Sequence, residues 1–450
     1  MSQLIEKKSH AAASAHAAPW LDALRQAAAD RFLSVGYPAS DEEAWRFTNL
    51  APIVRTKFQP AASVPGAISD AAANAARAAS FGSRCQCELV FVNGHYAPSL
   101  SHSGKLPHGA TIGALSTGIS DAAFLQRHLS RQADVSVTPF VALNTGSFRD
   151  AAIIHIPRGM TLEAPIHVIF VSDAAGEPTA SHPRLLLVAD ENSELSLVES
   201  FVSAARGATT FANSVTELFL GDNSRIDYNR IQQGSDSELL VTMLSARLSR
   251  GSRMVSHAAT LGGKLTRNDM NITLAGDGAD ATINGLAVLE HQQHCDNHTL
   301  LDHAAPNCPS HELYKHVLDG KSSCVFKGKI LVRQDSQKTD SKQTSKSLLL
   351  SDDAAMNSQP ALEIYADDVK CTHGSTTGPV DEEMVFYLRS RGVGLEAARH
   401  LLTYAFAADV TRRIKVEPVR RRLEDFLAAR HGLPRDLRIT DLGQHDEKAR

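Results

Sequence analysis

The chain has 450 residues and a net charge of −4 at pH 7. That length allows two or three structural units around a large core. The slightly acidic balance argues against a broad nucleic-acid-binding surface, and no apolar run approaches the roughly 18 residues of a membrane-spanning helix. Six cysteines without a CxxC pair are too few for a disulfide framework, which favours a reducing, cytoplasmic compartment.

The N-terminal third is predicted to be mainly helical. Residues 1–18 mix charged residues with alanine and lack the apolar segment of a signal peptide, so we predict a disordered tail. Residues 19–85 are predicted to form a helical region, in which 61–80 is a weakly specified helix or linker. Residues 86–149 are predicted to mix strand and helix, because an apolar run ends at the turn Asn93-Gly94 before helical spacing returns.

Residues 150–374 show short strand patterns separated by recurring turns. The turns Asn192-Ser193, Asn223-Ser224, Gly251-Ser252 and Gly276-Asp277-Gly278 recur at intervals of about 25 to 31 residues. Imperfect repetition at this period predicts a solenoid whose coils are a few short strands. No helix-length segment separates the strands, which favours a parallel β-helix over a doubly wound sheet. A β-sandwich is the alternative fold.

Helical patterns return in residues 375–432, which we predict to be a C-terminal helical domain, followed by a charged tail at 433–450. The longest predicted helix, 395–414, follows the last coil and suits either a core element or a docking face. Its apolar positions Leu395, Leu402, Phe406 and Val410 are the candidate partner-binding residues.

The spacing Cys371-Thr372-His373 is the candidate metal site. Strand side chains alternate, so on an extended segment Cys371 and His373 point the same way. A thiolate beside an imidazole suits iron or zinc, but two ligands hold a metal weakly, so a second chain would have to supply the rest. The alternative is a buried thiol beside a hydrogen-bonded histidine.

Other cysteine and histidine positions are weaker candidates. A stretch rich in both residue types suggests a structural zinc without paired-ligand spacing, and its members are His291, His294, Cys295, His298, His303, Cys308 and His311. Cys85 and Cys87 are predicted to face solvent or to pack. Gly320-Lys321-Ser322 lacks the upstream glycine of a phosphate-binding loop, so we expect no ATP hydrolysis by this chain.

Several longer motifs resemble the SufB/SufD family of the Suf iron–sulfur cluster assembly system. The similar segments are 296–299, 302–303, 306–308, 314–315, 325–330, 337–340, 343–344, 348–351, 362–374 and 381–392. The segment 45–50 and the Cys-x-His-Gly form at 371–374 are similar to the SufD branch.

The resemblance implies a right-handed parallel β-helix flanked by helical N- and C-terminal parts. It implies a non-catalytic scaffold in complex with SufB and the ATPase SufC, with the C-terminal helices binding SufC, and a possible homodimer when SufB is absent. A transient iron–sulfur cluster would form at the SufB interface with His373 and Cys371, and none would bind tightly to the isolated chain. Neither nucleic acid nor membrane is expected as a partner.

Two other function classes remain open from the residues alone. A β-helix carbohydrate-active enzyme needs clustered carboxylates along a groove, and the candidate strands contain Glu194, Glu199 and Glu217. A zinc-stabilised structural adaptor would use the histidine-rich stretch.

Overall fold

The computed structural model describes residues 19–39, 41–61, 68–104, 106–118, 122–136, 138–174, 176–204, 208–430 and 432. The predicted tails at 1–18 and 433–450 lie outside the described residues. The protein is mainly β, with a β-solenoid of about eight turns and flanking helices. The predicted fold class is therefore confirmed.

Eight α-helices flank the solenoid in the part of the chain that the structure describes. They are α1 (Pro19–Val35), α2 (Ala51–Arg55), α3 (Asp70–Ala79), α4 (Ala122–His128), α5 (Pro139–Ser147), α6 (Glu382–Ser390), α7 (Leu395–Thr411) and α8 (Glu417–Arg430). Short 3₁₀ helices span Glu43–Trp45, Gly82–Arg84 and Leu115–Thr117.

The described strands begin in the N-terminal region and continue to the end of the solenoid. They are β1 (Gln59–Pro60), β2 (Cys87–Val92), β3 (His95–Tyr96), β4 (His102–Ser103), β5 (Thr111–Ala114), β6 (Ala152–Ile156), β7 (Ile166–Ser172), β8 (Thr179–Ser181), β9 (Arg184–Ala189), β10 (Glu194–Ser203), β11 (Thr210–Leu220), β12 (Arg225–Gln233), β13 (Glu238–Leu248), β14 (Arg253–Thr260), β15 (Leu265–Leu274), β16 (Asp280–Leu289), β17 (His294–His303), β18 (Pro309–Leu318), β19 (Ser323–Val332), β20 (Asp340–Leu349), β21 (Ala355–Ser358), β22 (Ala361–Ile364) and β23 (Lys370–Gly378).

Successive long strands alternate between two sheets. One sheet, called sheet A, runs β5-β6-β9-β11-β13-β15-β17-β19-β21, and the other, sheet B, runs β3-β2-β7-β10-β12-β14-β16-β18-β20-β23. Neighbours from β7 to β23 pair in parallel. Parallel pairing of every second strand is the geometry of a coiled solenoid, so the β-sandwich alternative is wrong.

The recurring turns stack on one another along one edge of the solenoid. Asn192, Asn223, Gly251, Gly278 and Asn307 all adopt a positive φ between 57° and 69°. Glycine and asparagine tolerate this left-handed conformation best, which explains their recurrence in the sequence. Backbone bonds join the stacked turns, such as Asn192 N to the Asp222 carbonyl at 2.8 Å.

The space between the two sheets, here called the lumen, is filled by side chains. Its core is one continuous cluster of buried apolar residues from Cys87 and Leu89 to Ile330 and Val332. Glycines make room for larger neighbours there. A Cβ on Gly328, for example, would lie 2.2 Å from the Gln343 side-chain nitrogen. Inward and outward side chains alternate along each strand, as the pleat requires.

The N-terminal segments cover the first coils of the solenoid. The loop at 130–133 and helix α5 are joined to sheet A by the buried pair Arg184 and Glu217, whose charged atoms lie 2.5 Å apart. The Glu217 carboxylate also accepts three bonds from backbone N–H groups at residues 130, 132 and 133. Hydrogen bonds of this kind offset the loss of solvation of a fully buried ion pair, so the pair helps to hold the cover on sheet A.

The segment around Trp45 docks on the outer face of sheet A further along the solenoid. The Arg267 guanidinium lies 4.3 Å from the centre of the Trp45 ring and donates to the Ala44 carbonyl. Arg267 also pairs with the buried Asp296, which accepts a hydrogen bond from Thr48. Thus the N-terminal region makes buried polar contacts more than 200 residues away in sequence.

Helices α7 and α8 cover part of the outer face of sheet B. Their apolar side chains form a second buried cluster with Ile231, Leu286 and Val317 of the sheet. Lys315 reaches from β18 to the helix, where its ammonium group donates to the Phe406 carbonyl and pairs with Asp409 at 2.8 Å. The C-terminal helices are therefore packed against the coils rather than extended from them.

Candidate metal half-site and partner surfaces

The last strand of sheet B, β23, forms one end of the solenoid. It pairs with β20 on one side, and no described strand pairs with its other edge. Residues 372–377 are exposed one after another, so both faces of the strand contact solvent. An edge with unpaired backbone groups is a site for strand addition or for a partner that covers it.

Cys371 and His373 lie on β23 and face the same side. Their register partners on β20 are Ser341 and Gln343, both buried in the lumen. Cys371 is half-buried and packs against the lumen core, whereas His373 is exposed. The predicted arrangement of the two side chains on one strand face is present.

Burial raises the pKa of the Cys371 thiol, and the nearby Asp340 raises it further, while a backbone hydrogen bond at Ser341 opposes them. The thiol is thus protonated near neutral pH and would have to lose its proton to bind iron as a thiolate. An additional positive charge at the open face, such as a metal ion, would favour that loss.

Two buried polar chains lead from the lumen to this end of the solenoid. In the first, the Gln343 amide donates to Glu312 at 2.6 Å, and burial raises the pKa of Glu312 to about 7 although bonds from Thr299 and Gln343 lower it. In the second, Ser341, Ser310 and His303 are joined by contacts of 2.7 and 2.9 Å. Each candidate side chain therefore has a polar group behind it.

These polar groups carry no recognisable motif in the sequence. Residues 312 and 343 lie on neighbouring strands 31 positions apart, and residues 310 and 341 have the same separation. The signal that was available is the coil period itself, since residues one period apart stack in a parallel solenoid.

The four candidate partner-binding residues differ in exposure. Leu395 is 38% exposed. Leu402 and Phe406 are half-buried and pack against a cluster that includes Leu348 and Val385, and Val410 is buried between the helices and sheet B. These last three side chains stabilise the helices internally and offer little surface to a partner.

A different set of apolar side chains is exposed on α6. Met384, Phe386 and Tyr387 are 46%, 73% and 52% exposed, and with Leu395 they are here called the C-terminal apolar patch. The apolar spacing of α7 was evident in the sequence, but only the packing of α7 on sheet B reveals that its apolar side faces inward and that α6 is the outer helix.

The histidine-rich stretch does not form the predicted zinc site. His294 contacts Thr48 and Ser323, and His298 pairs with Asp296 at 3.0 Å. No three of the seven candidate ligands converge, because within the described ranges the only such trio of His, Cys, Asp or Glu side chains is Cys85, Glu88 and His167. Alternation along β17 sends neighbouring candidates to opposite faces of the sheet.

The two N-terminal cysteines and the three candidate carboxylates also lie apart from one another. Cys85 and Cys87 are both buried and pack in apolar clusters. Of the two predicted alternatives, packing is therefore correct and exposure to solvent is wrong. Glu199 is buried against Tyr228 and Thr216, Glu217 pairs with Arg184 on the outer side of sheet A, and Glu194 is exposed. These carboxylates do not share a groove, which removes the basis for a carbohydrate-active enzyme.

Family models match both parts of the chain. The model described as "SUF system FeS cluster assembly, SufBD core domain" matches residues 170–406, and that of the "SufBD protein N-terminal region" matches residues 2–168. The chain belongs to the SufBD family.

Curated relatives of this SufBD-family protein agree over most of its length. An iron–sulfur cluster assembly SufBD family protein of Synechocystis is 31% identical over 414 residues, which cover 90% of each chain. The iron–sulfur cluster assembly protein SufD of Escherichia coli is 30% identical, over 87% of this chain and 89% of the relative. SufD of Bacillus subtilis is 26% identical over 63% of this chain and 64% of the relative.

Membership of the family makes this chain an iron–sulfur cluster assembly protein of the Suf system. It also agrees with the segments that resembled SufB/SufD in the sequence, most of which lie on strands β17–β23 and α6. In the described part of the protein, no helix has both the length and the apolar character needed to cross a membrane.

Proposed function

We propose that this protein is the SufD-type, non-catalytic scaffold subunit of a SufB–SufC–SufD complex. In this proposal SufB covers the open end of the solenoid at β23. A nascent iron–sulfur cluster forms at that interface as cargo, with His373 as a ligand from this chain and Cys371 as a second contributor. SufC docks on the C-terminal helices and hydrolyses ATP. The six free cysteines suit a reducing cytoplasm.

The observation that supports the partner interface most directly is the exposure of β23. A solenoid coil buries its faces and hydrogen-bonding edge against its neighbours, so terminal coils need a cover to remain soluble. Six successive exposed residues on a strand with one unpaired edge argue for a partner at this place. SufB is the partner proposed, and a second copy of this chain is the expected substitute when SufB is absent.

The C-terminal apolar patch supports the docking of SufC. Exposed aromatic and methionine side chains are enriched in protein-binding surfaces. Three of its four side chains lie on α6, directly after β23, and Leu395 begins α7, so one region of the chain presents both proposed surfaces. Because Gly320-Lys321-Ser322 lacks the upstream glycine of a phosphate-binding loop, we assign ATP hydrolysis to SufC and not to this chain.

The decisive experiment is anaerobic purification of this chain with SufB and SufC, followed by iron and acid-labile sulfide analysis. His373→Ala removes an exposed imidazole without breaking a strand hydrogen bond, so we expect an intact complex with sharply lower cluster content. Cys371→Ala is expected to have a similar or smaller effect, because a partner cysteine can supply the main iron–sulfur bond.

His298→Ala is the matched control, since His298 lies on the outer face of sheet A beside Asp296. It should leave cluster content near that of the wild type. Normal cluster assembly by the His373→Ala complex would show that Cys371 and His373 are structural residues. ATP hydrolysis by the isolated chain at the rate of the SufC complex would contradict its non-catalytic role.

A further inference from the structure

A second cluster of metal-ligand side chains lies near the covered end of the solenoid. It consists of Cys85 before β2, Glu88 on β2 and His167 on β7, with one ligand atom from each lying within 4.8 Å of the other two. All three residues are at most 6% exposed. Glu88 and His167 are register partners on adjacent strands, so the sheet itself sets their separation.

The three ligand atoms are close enough to one another to bind a single ion. Metal–sulfur and metal–nitrogen bonds of about 2.3 and 2.0 Å place zinc ligands roughly 3 to 4 Å apart. The His167 Nδ1 atom already lies 3.0 Å from a Glu88 oxygen, and since the Cys85 sulfur lies within 4.8 Å of both ligand atoms, it would have to move closer by at most about 1 Å.

Surrounding groups hold the carboxylate and the imidazole in place. Glu88 accepts hydrogen bonds from the backbone N–H groups of Phe81 and Gly82 and from the Ser80 hydroxyl. Although burial acts to raise the pKa of Glu88, the bonds from His167 and Ser80 lower it to about 2, so the carboxylate is ionised.

On its other side the His167 ring contacts Ser200, with Nε2 2.8 Å from the hydroxyl oxygen. The second ring nitrogen of a metal-bound histidine is commonly held by such an outer partner. The Phe81 ring stacks on the His167 ring, with 4.6 Å between the ring centres. The guanidinium of Arg422, on α8, lies 4.4 Å from the centre of the Phe81 ring. The imidazole therefore has a fixed plane.

We propose that Cys85, Glu88 and His167 bind one divalent transition-metal ion of the zinc class, with sulfur, oxygen and nitrogen ligands from this chain alone. Binding replaces the Nδ1–Glu88 hydrogen bond with two metal bonds. The imidazole proton then resides on Nε2 and is donated to Ser200, and the thiol proton of Cys85 leaves to solvent. His102, whose Nδ1 is 3.8 Å from Glu88, lies on the exposed side where a water or this ring completes the coordination.

The site differs from the half-site at Cys371 in needing no partner. Its three ligands carry two negative charges once the thiol is ionised, which balances a divalent cation in a buried place. Burial otherwise raises the pKa of Cys85 to about 12, with Glu88 and Cys87 adding to the rise and Arg84 and Arg422 opposing it. An ion bound there would have to offset this penalty to hold Cys85 as a thiolate.

The test is a Co²⁺ titration of the full chain that contains Cys371→Ala and His373→Ala, so that the half-site cannot contribute. We expect one Co²⁺ per chain, a thiolate-to-cobalt charge-transfer absorption, and displacement by Zn²⁺. Adding Cys85→Ala should remove this absorption, whereas adding Cys87→Ala, which alters a buried thiol two positions away in the lumen, should retain it. Ser200→Ala should weaken binding about 10- to 100-fold.

X-ray absorption of the zinc-loaded Cys371→Ala/His373→Ala chain tests the site without any substitution of its three ligands. One sulfur neighbour at about 2.3 Å among lighter ligands is expected. Absence of stoichiometric binding, a charge-transfer absorption that survives Cys85→Ala, or a first shell without sulfur would each overturn the proposal. None of these results depends on SufB or SufC, so they leave the proposed scaffold function to its own test.

Discussion

At the start of the solenoid all seven residues of β7 are buried, whereas at its other end six consecutive residues of β23 are exposed. The first coils are covered by β2–β5 and by α3–α5, which supply their own apolar side chains and polar partners. The last strand has neither cover nor pairing on its free edge in the described part of the chain. A solenoid exposes two ends by construction, and this one closes a single end with its own sequence.

This difference between the two ends distinguishes side chains needed for folding from side chains needed for assembly with other proteins. Buried charges at the covered end are paired and hydrogen-bonded within the chain, as Arg184 and Glu217 illustrate, and their loss should affect folding. Side chains at the open end, such as His373, have few partners within the chain, and their loss should affect assembly with other proteins. The two ends can therefore be distinguished by which measurement responds.

The largest effect is expected for Arg184→Met at the covered end. The substitution leaves Glu217 charged and fully buried without its cation, which should lower the free energy of unfolding by about 3–5 kcal/mol. Urea unfolding followed by circular dichroism measures this loss. Arg253→Met is the matched control, since its pair with Asp280 is 2.9 Å long but Arg253 is 60% exposed, and it should cost less than about 1 kcal/mol. Equal losses in the two variants would contradict the comparison.

At the other end, Phe386→Asp in the C-terminal apolar patch should weaken SufC binding while leaving stability unchanged. An exposed aromatic side chain at the centre of an interface typically contributes about 2 kcal/mol or more, or roughly a 30-fold change in Kd. Titration calorimetry with purified SufC measures the change. Leu33→Asp on α1, where the side chain is 50% exposed, is the control. If both variants bind SufC normally, the patch is not the docking surface.

A smaller effect concerns pH and the polar chain behind His373. The pKa of Glu312 is about 7 in the folded chain against an ordinary value of 4.5, so the folded state binds more protons than the unfolded state between these values. Stability contributed by the neutral carboxyl is thus present below pH 4.5 and is lost as the pH rises through 7. Glu312→Gln should reduce this loss by on the order of 1–2 kcal/mol between pH 5 and 7.

Urea unfolding at several pH values measures the slope. Burial also raises the pKa of Glu238 to about 7, so the single variant keeps part of the decline, and the double variant Glu238→Gln/Glu312→Gln should have the flattest profile. An unchanged slope in Glu312→Gln would mean that Glu312 is ionised in the folded chain.

Much of the architecture was predictable because it repeats. Left-handed turns at Asn192, Asn223 and Gly251 select residue types that are visible in the sequence, and the alternation on each strand follows from the pleat. The same pleat places Cys371 and His373 on one face. These features depend on local conformation and period, which a single sequence contains.

Contacts between distant segments were not predictable. Glu88 meets His167 79 positions away, because β2 pairs in parallel with β7 in sheet B. Similarly, the apolar spacing of α7 indicates an apolar face but not that sheet B occupies it, so Phe406 and Val410 were assigned to a partner rather than to the interior. Such contacts are determined by tertiary packing, and no periodic pattern in the sequence indicates them.

The regular spacing of the parallel strands in sheet B also fixes the distance between its two ends. His167 lies on β7 and His373 on β23, and the sheet order places seven strand-to-strand steps between them. With about 4.8 Å per step, the two histidines are roughly 34 Å apart along the axis. One ion cannot be shared over that length, and a chain with one coil more or fewer would change the distance by a single step of about 4.8 Å while leaving the chemistry at each end as it is.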